Sequence, residues 1–190
     1  MELLKKRILN SGTIVSSEIL KVDSFLNHQI DPELIYKIAE EFVKIFALER
    51  ITRILTIESS GIAPAVMTGL RLAVPVVFAK KSIPSTLAKE TWTSRVHSFT
   101  KNKDYDIFVS SQFLTSSDRV LIIDDFLAHG SASEALINIV NQAGAEIAGI
   151  GIVIEKGFQN GGTQLRSRGI RVESLAIIDS MDMDTIHFRE

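Results

Sequence analysis

The sequence contains no cysteine among its 190 residues, which excludes disulfides and thiolate metal sites. It has no marked excess of either charge: 21 Lys and Arg stand against 23 Asp and Glu, a net charge of −2, which argues against a general nucleic-acid binder. Its apolar runs are far shorter than the roughly 20 residues that a membrane-spanning helix needs. The beginning, MELLKKRILNSG, is charged and lacks the apolar centre of a secretory signal. We therefore expect a cytoplasmic protein that binds neither nucleic acid nor membrane.

The order of apolar patterns indicates an α/β protein, and the length is enough for a single domain over 1–190. Apolar runs predict strands at 53–58, 74–79, 119–124, 147–156 and 172–178. Helical spacing predicts helices over 31–46, 63–73 and 132–143, the first of them capped by Asp31 with Pro32 at its first position. This alternation predicts a mostly parallel twisted sheet flanked by helices.

The segment from Lys80 to Lys103 loses this periodicity. It holds six basic residues against one acid, Glu90. Loops of this length are usually lids or binding loops. We therefore expect one long basic loop over 80–103, followed by a strand over 105–114 that could be half of a hairpin.

Three polar clusters follow predicted strands: ESSG (58–61), DDFLAHGSA (124–132) and EKGF (155–158). Parallel sheets bind ligands beyond the carboxyl ends of their strands, so we expect these clusters to meet at one edge. Asp124 and Asp125 should both be ionised there, and they repel one another unless cations or hydroxyl donors approach. One alternative is that one aspartate caps the next helix while the other is solvated. Gly130 and the free amides of the following helix instead favour a phosphate site beside these carboxylates.

The stretch VLIIDDFLAHGSA (120–132) resembles the phosphoribosyl diphosphate (PRPP) signature of the type I phosphoribosyltransferases. The resemblance implies that Asp124 and Asp125 are the catalytic residues and that they face the ribose hydroxyls. It also implies that the 5-phosphate is held by the loop Ala128, His129, Gly130, Ser131 and Ala132. Many family members have threonines where this chain has His129 and Ala132, so Ser131, Ser133 and backbone amides must carry more of that contact.

Further blocks, in order along the whole chain, are similar to bacterial xanthine phosphoribosyltransferases: 19–32, 57–70, 75–81, 96–101, 148–159 and 171–176. By this resemblance, residues from about 1 to 30 contribute to a hood over the base, with Leu20 and Asn27 as xanthine contacts. Lys156 would donate to a purine carbonyl, and Phe158 would stack on the purine ring, although it could equally belong to the core.

The remaining family expectations concern the diphosphate. Ser59, Ser60 and Gly61 can form an anion-binding nest for it, although either serine could instead cap the next helix. Lys80 and Lys81 are candidate diphosphate contacts at the start of the basic loop, and each could equally be a solvated lysine.

The resemblance as a whole implies transfer of phosphoribosyl from PRPP to N9 of xanthine. The products would be xanthosine 5′-monophosphate (XMP) and diphosphate, with Mg²⁺ held mainly by substrate oxygens, in a homodimer. Two alternatives stay open: guanine or hypoxanthine as the base, or a PRPP- or nucleotide-sensing regulator on the same fold.

Overall fold

The computed structural model describes residues 1–81, 90–98 and 103–190. In these ranges the helices are α1 (Glu2–Ser11), α2 (Pro32–Ile45), α3 (Ile62–Leu72), α4 (Ser131–Gln142) and α5 (Gly161–Ser167). The strands are β1 (Thr13–Ser16), β2 (Ile19–Lys21), β3 (Arg53–Ile57), β4 (Val76–Ala79), β5 (Thr91–Ser98), β6 (Lys103–Ser110), β7 (Arg119–Leu127), β8 (Glu146–Lys156), β9 (Val172–Met181) and β10 (Ile186–Phe188). A π-helical turn spans Asp23–Asn27, and a short 3₁₀ turn spans Ser111–Phe113.

The central sheet has six strands in the order β10-β9-β8-β7-β3-β4. Every neighbouring pair is parallel except β10, which pairs antiparallel to β9 at the edge. The α/β class with a mostly parallel sheet is therefore confirmed. The predicted strands and helices of this layer are confirmed to within three residues at their ends.

Strand β7 shows why the sheet needs cover on both faces. Leu121 and Ile123 belong to the apolar cluster that includes α1, α2 and α3, whereas Val120 and Ile122 belong to the cluster under α4, β5 and β6. Alternate residues of a strand point to opposite faces, so a run of four aliphatic residues is buried on both sides.

The amino-terminal segment, here called the amino-terminal layer, packs into the same apolar cluster as α2 and α3, and the sequence pattern did not predict its elements in detail. α1 leads into the two-stranded sheet of β1 and β2, and the π-helical turn follows. The terminal ammonium of Met1 donates to the carbonyl oxygen of Leu175 at 2.5 Å. Asp31 then accepts from the amides of Glu33 and Leu34, each at 3.1 Å, so its predicted role as the cap of α2 is confirmed.

The prediction of a single loop over 80–103 is wrong for 91–98, which form β5. This strand pairs antiparallel with β6 along its whole length, so the suggested hairpin is confirmed. Val96 and Ile107 bury one face of the hairpin against the sheet, and Trp92 donates its indole N–H to Leu114. Of the six basic residues, Arg95 lies in β5 next to the buried Val96 and Lys103 begins β6, whereas Lys89 and Lys101 lie outside the described residues. Tertiary packing of Val96 and Ile107 thus outweighs the polar character of the segment 91–98. The strand predicted over 105–114 ends at Ser110.

Among the described residues, no helix is both long enough and apolar enough to cross a membrane.

Candidate active site

A cavity of about 430 Å³ opens at the carboxyl ends of β7 and β8. It brings two of the predicted clusters together, because Lys156 and the whole loop Ala128–Ala132 line it. The other lining residues come from the β1–β2 turn, the hairpin, the end of β7 and the turn after β8: Glu18, Ile19, Val96, His97, Tyr105, Phe126 and Gln159. The cavity therefore connects a loop suited to phosphate with a lysine suited to a carbonyl.

Asp124 and Asp125 lie inside β7 rather than beyond its end, because the strand continues to Leu127. Asp124 is only 4% exposed, and its Oδ1 accepts the backbone N–H of Asp125 at 3.0 Å. Burial and the charge of Asp125 raise the pKa of Asp124 well above its usual value, and burial also raises the pKa of Asp125. The alternative of one capping and one solvated aspartate is wrong, because Gly130 is the N-cap of α4. The sequence-based expectation that both carboxylates are ionised did not take this burial into account.

The loop Ala128–Ala132 turns into α4 at Gly130, whose φ of 89° favours glycine. No side chain caps this helix, so its first amides have no side-chain partner at the point where the loop lines the cavity. Gly161 supports the loop from behind by donating its N–H to the carbonyl oxygen of Ala128 at 3.1 Å. A backbone cradle at a helix start is suited to a phosphate dianion.

The loop Glu58–Gly61 connects β3 to α3, and its Glu58–Ser59 peptide bond is cis. Gly61 is the N-cap of α3 without a side-chain hydrogen bond, so neither Ser59 nor Ser60 caps the helix as the alternative suggested. A Cβ on Gly61 would lie 2.9 Å from Oδ1 of Asp124. The loop is therefore in close contact with the aspartate pair.

Lys80 and Lys81 follow β4 and differ in their surroundings. The backbone N–H of Lys81 donates to Oε1 of Glu58 at 2.6 Å, which joins it to the Glu58–Gly61 loop. Its ammonium lies 5.2 Å from the centre of the Tyr105 ring and acts to lower the pKa of both Asp124 and Asp125. The Lys80 ammonium lies 5.7 Å from the Phe78 ring instead. Lys81 is thus the lysine closer to the carboxylates.

Lys156 ends β8 and reaches across to the amino-terminal layer. Its ammonium donates to the backbone carbonyl of Glu18 at 2.6 Å and lies 5.8 Å from the centre of the Phe126 ring. Burial lowers the pKa of Lys156, against the opposing charge of Glu18. Phe126 lines the cavity beside Lys156, whereas Phe158 is half-buried against the apolar cluster of the amino-terminal layer.

Leu20 and Asn27 are not brought to the same cavity as Lys156. Leu20 is 7% exposed and belongs to the apolar core. Asn27 lines a neighbouring apolar cavity of about 490 Å³ together with Ser59 and Ser60. Of the four predicted base contacts, Lys156 and Asn27 therefore line different cavities, whereas Leu20 and Phe158 line neither of these two.

Comparison with known proteins decides the family. A model of the phosphoribosyl transferase domain matches residues 22–188. The chain belongs to the phosphoribosyltransferase family. It is 56% identical over 190 residues to a xanthine phosphoribosyltransferase of Oceanobacillus iheyensis, covering 100% of this chain and 98% of that protein. It is 54% identical over 190 residues to a xanthine phosphoribosyltransferase of Pseudomonas entomophila, covering 100% of both.

Solved structures agree with this fold. The adenine phosphoribosyltransferase of Rhodothermus marinus superposes with a TM-score of 0.75 at 23% identity, covering 94% of this chain and 100% of that chain. That of Trypanosoma brucei, in complex with AMP, pyrophosphate and ribose-5-phosphate, gives a TM-score of 0.76 at 20% identity, covering 92% and 78%. This phosphoribosyltransferase therefore has the type I fold, as the resemblance implied.

Several residues of this phosphoribosyltransferase cavity were not predicted from the sequence. Phe126 and Gln159 stand inside or beside recognised motifs, but no local pattern shows which side chains face a cavity. His97 and Tyr105 come from the hairpin, and Nδ1 of His97 lies 2.6 Å from Oδ1 of Asp104. Their approach depends on a long-range pairing that only the fold supplies.

A buried ion pair supports the same edge of the sheet. Glu155 is 2% exposed, and each of its carboxylate oxygens accepts a hydrogen bond from Arg166 at 2.7 Å. Burial acts to raise the pKa of Glu155, but Arg166 and Ser174 outweigh it and hold the pKa below its usual value. Glu155 thus belongs to a structural network directly before Lys156.

Proposed function

We propose that this chain transfers the phosphoribosyl group of PRPP to N9 of xanthine, giving XMP and diphosphate. The observation that carries this proposal is the single cavity lined by both Lys156 and the phosphate loop 128–132. Relatives called xanthine phosphoribosyltransferase that match it over its whole length support the choice of base.

The groups that would bind PRPP follow from their positions. The loop of Ala128, His129, Gly130, Ser131 and Ala132 would hold the 5-phosphate through backbone amides and the Ser131 hydroxyl. Asp124 and Asp125 would accept hydrogen bonds from the ribose hydroxyls, which favours their charged forms. The amides of Ser59, Ser60 and Gly61 would receive the diphosphate, with Lys81 nearer to it than Lys80.

The xanthine end of the cavity is suited to an oxopurine. The Lys156 ammonium has three donors, and its bond to Glu18 leaves others for a purine carbonyl. Phe126 is better situated than Phe158 to stack on the base, because it lines the cavity. Leu20 and Asn27 would contribute to xanthine binding as parts of the hood, whose turn residue Glu18 and β2 residue Ile19 line the cavity.

Magnesium fits this donor set as a substrate-bound ion. Among the described residues, no cluster of three or more His, Asp or Glu could hold a metal ion. Mg²⁺ commonly takes one or two carboxylates and completes its shell with substrate oxygens, and Asp124 with Asp125 can supply the former. When bound, it would neutralise charge on the leaving diphosphate.

The chain's own contribution is positioning and charge stabilisation. Bond breaking at C1′ of the ribose gives a transition state with oxocarbenium character, which the nearby carboxylates stabilise electrostatically. The amides of 59–61 stabilise the developing charge on the diphosphate, and the cavity walls exclude water. No nucleophilic side chain is needed. We further propose that the 190 residues act as one domain, with 1–30 contributing to the hood, in a cytoplasmic homodimer.

A product assay with PRPP and Mg²⁺ tests this function, with xanthine, guanine, hypoxanthine and adenine supplied separately. We expect XMP formation with a higher kcat/KM for xanthine than for the other bases. Asp124→Asn with Asp125→Asn should lower turnover at least about 100-fold in a folded protein. Preference for guanine or hypoxanthine would change the assigned base, and PRPP binding without turnover of any base would support a sensor.

A further inference from the structure

Gln159 lies at the end of the cavity where the base is proposed to bind. Its backbone N–H donates to the carbonyl oxygen of Lys156 at 2.9 Å, so a tight turn holds the two residues together. Both residues line the cavity, as do Phe126 and the phosphate loop Ala128–Ala132. Nothing in the family resemblance described above assigns a role to Gln159.

The side-chain oxygen of Gln159 is buried, and no group in the described ranges donates a hydrogen bond to it. In those ranges, Thr56 Oγ1 is the one other buried side-chain nitrogen or oxygen without a hydrogen-bond partner. Buried polar groups nearly always have a partner, and leaving one unpaired costs free energy. Because Gln159 as a residue also lines a ligand cavity, this exception points to a partner that arrives with the ligand.

The chemistry of Lys156 and Gln159 is complementary to one edge of an oxopurine. Such a base has a ring N–H next to a carbonyl, so it needs a donor for the oxygen and an acceptor for the N–H. Lys156 can only donate, whereas the carbonyl of an amide accepts. Adenine has the reverse order on its corresponding edge, a ring nitrogen that accepts beside an amino group that donates.

We infer that the Gln159 side-chain oxygen accepts a hydrogen bond from a ring N–H of the purine, next to the carbonyl bound by Lys156. This inference rests on the proposed function and names a further specificity-determining residue for it. The terminal torsion of a glutamine is soft, so the amide can turn its oxygen from the cavity wall towards the base. Binding of an oxopurine then provides the partner that the free protein lacks.

The variant Gln159→Met tests the inference, because methionine keeps the length of the side chain and removes the amide. We expect the KM for xanthine to rise about tenfold or more and the KM for PRPP to change less than about twofold. The preference for xanthine over adenine, measured as the ratio of kcat/KM values, should fall by a similar factor. The melting temperature of the free protein should stay the same or rise, because no protein hydrogen bond to that oxygen is lost.

Gln164→Met is the matched control, since Gln164 is exposed on the neighbouring helix α5. It should leave both KM values and the melting temperature unchanged. If Gln159→Met leaves the KM for xanthine unchanged while the unaltered protein turns over xanthine, the inference is overturned and the proposed function stands. A parallel rise of both KM values with a lower melting temperature would mean a structural role and would also overturn it. If the unaltered protein does not use any oxopurine, the proposed function fails, and this inference fails with it.

Discussion

Gly161 donates its backbone N–H to the carbonyl oxygen of Ala128 at 3.1 Å and thereby joins α5 to the phosphate loop. A Cβ at position 161 would lie 2.3 Å from that oxygen and 2.7 Å from the amide nitrogen of Gly130. Both contacts are with backbone atoms, which cannot move aside without changing the shape of the loop. The position of the phosphate cradle therefore depends on a glycine outside the signature motif.

We expect Gly161→Ala to raise the KM for PRPP at least about tenfold and to lower the free energy of unfolding by about 1–3 kcal/mol. Steady-state kinetics and thermal unfolding would measure the two effects. Gly69→Ala is the control, since its Cβ would lie 2.4 Å from Val76 Cγ2, beside the start of β4 and away from the phosphate loop. It should lower stability similarly without changing the KM for PRPP. Equal KM changes in both variants would contradict the role of Gly161.

The ion pair of Glu155 and Arg166 offers a second test of how the site is supported. Glu155→Gln keeps the shape of the side chain but leaves the Arg166 guanidinium without its charged partner. We expect a loss of about 1–3 kcal/mol in the free energy of unfolding, together with a several-fold higher KM for xanthine because Lys156 follows directly. Steady-state kinetics measured well below the melting temperature of the variant would separate the change in KM from the loss of stability.

Asp118→Asn is the matched control for Glu155→Gln. Asp118 is 5% exposed and pairs with Arg53 at 3.2 Å. It directly precedes β7 and so lies at the amino ends of the strands, away from the cavity at their carboxyl ends. It should lower stability comparably and leave the KM for xanthine unchanged. A similar KM change in Asp118→Asn would show that any loss of stability disturbs the site.

The sheet was predictable because its signals are local. Four aliphatic residues before Asp124 can only be buried on both faces, and Asp31 followed by Pro32 marks a helix start by its own hydrogen bonds. The hairpin strand Thr91–Ser98 was missed because its polar residues are placed by pairing with β6, which no short window contains. α1 and α5 were missed for a similar reason, since their burial depends on distant elements.

The candidate site was predictable only in part. The motif at 120–132 names its loop and carboxylates directly, and their proximity follows from the parallel topology. Phe126 and Gln159 also line the cavity. They could not be predicted, because whether a side chain lines a cavity depends on its orientation in the folded protein. The division of Asn27 and Lys156 between two cavities depends on how the hood packs, which is a property of the whole fold.

Thr56 provides a stability test of an unpaired buried hydroxyl. Its Oγ1 is buried beside Gly61 and receives or donates no hydrogen bond within the described residues. Thr56→Val should therefore leave the melting temperature unchanged or raise it. Thr68→Val, by contrast, removes a buried bond from Thr68 Oγ1 to the Pro64 carbonyl at 2.8 Å and should cost about 1 kcal/mol. Equal losses in the two variants, measured by denaturant unfolding, would contradict this account.

The raised pKa of Asp124 makes the stability of the free protein depend on pH. The folded protein holds the Asp124 proton more tightly than the unfolded chain, because burial and then Asp125 disfavour its charge. Binding of this proton stabilises the folded state. That stabilisation is fully present below the unfolded pKa of about 3.9 and is lost as pH rises through the folded pKa of Asp124. The variant Asp124→Asn has no carboxyl group at this position to deprotonate, so it does not lose this stability as pH rises. We therefore expect it to melt at a higher temperature than the unaltered protein at pH 8. The difference in melting temperature should shrink towards pH 4.

Asp182→Asn is the control of opposite sign for that series. Hydrogen bonds from the amides of Asp184 and Thr185 lower the pKa of Asp182, so its charge stabilises the fold above the unfolded pKa. This variant should melt lower than the unaltered protein at pH 8, and the deficit should shrink as pH falls through the lowered pKa. Thermal unfolding of the three proteins between about pH 2 and 8 would measure both slopes, that of Asp124→Asn above and that of Asp182→Asn below the unfolded pKa of about 3.9. A gain in Asp124→Asn that is the same at every pH would mean that it comes from packing, and that the buried charge of Asp124 does not destabilise the free protein.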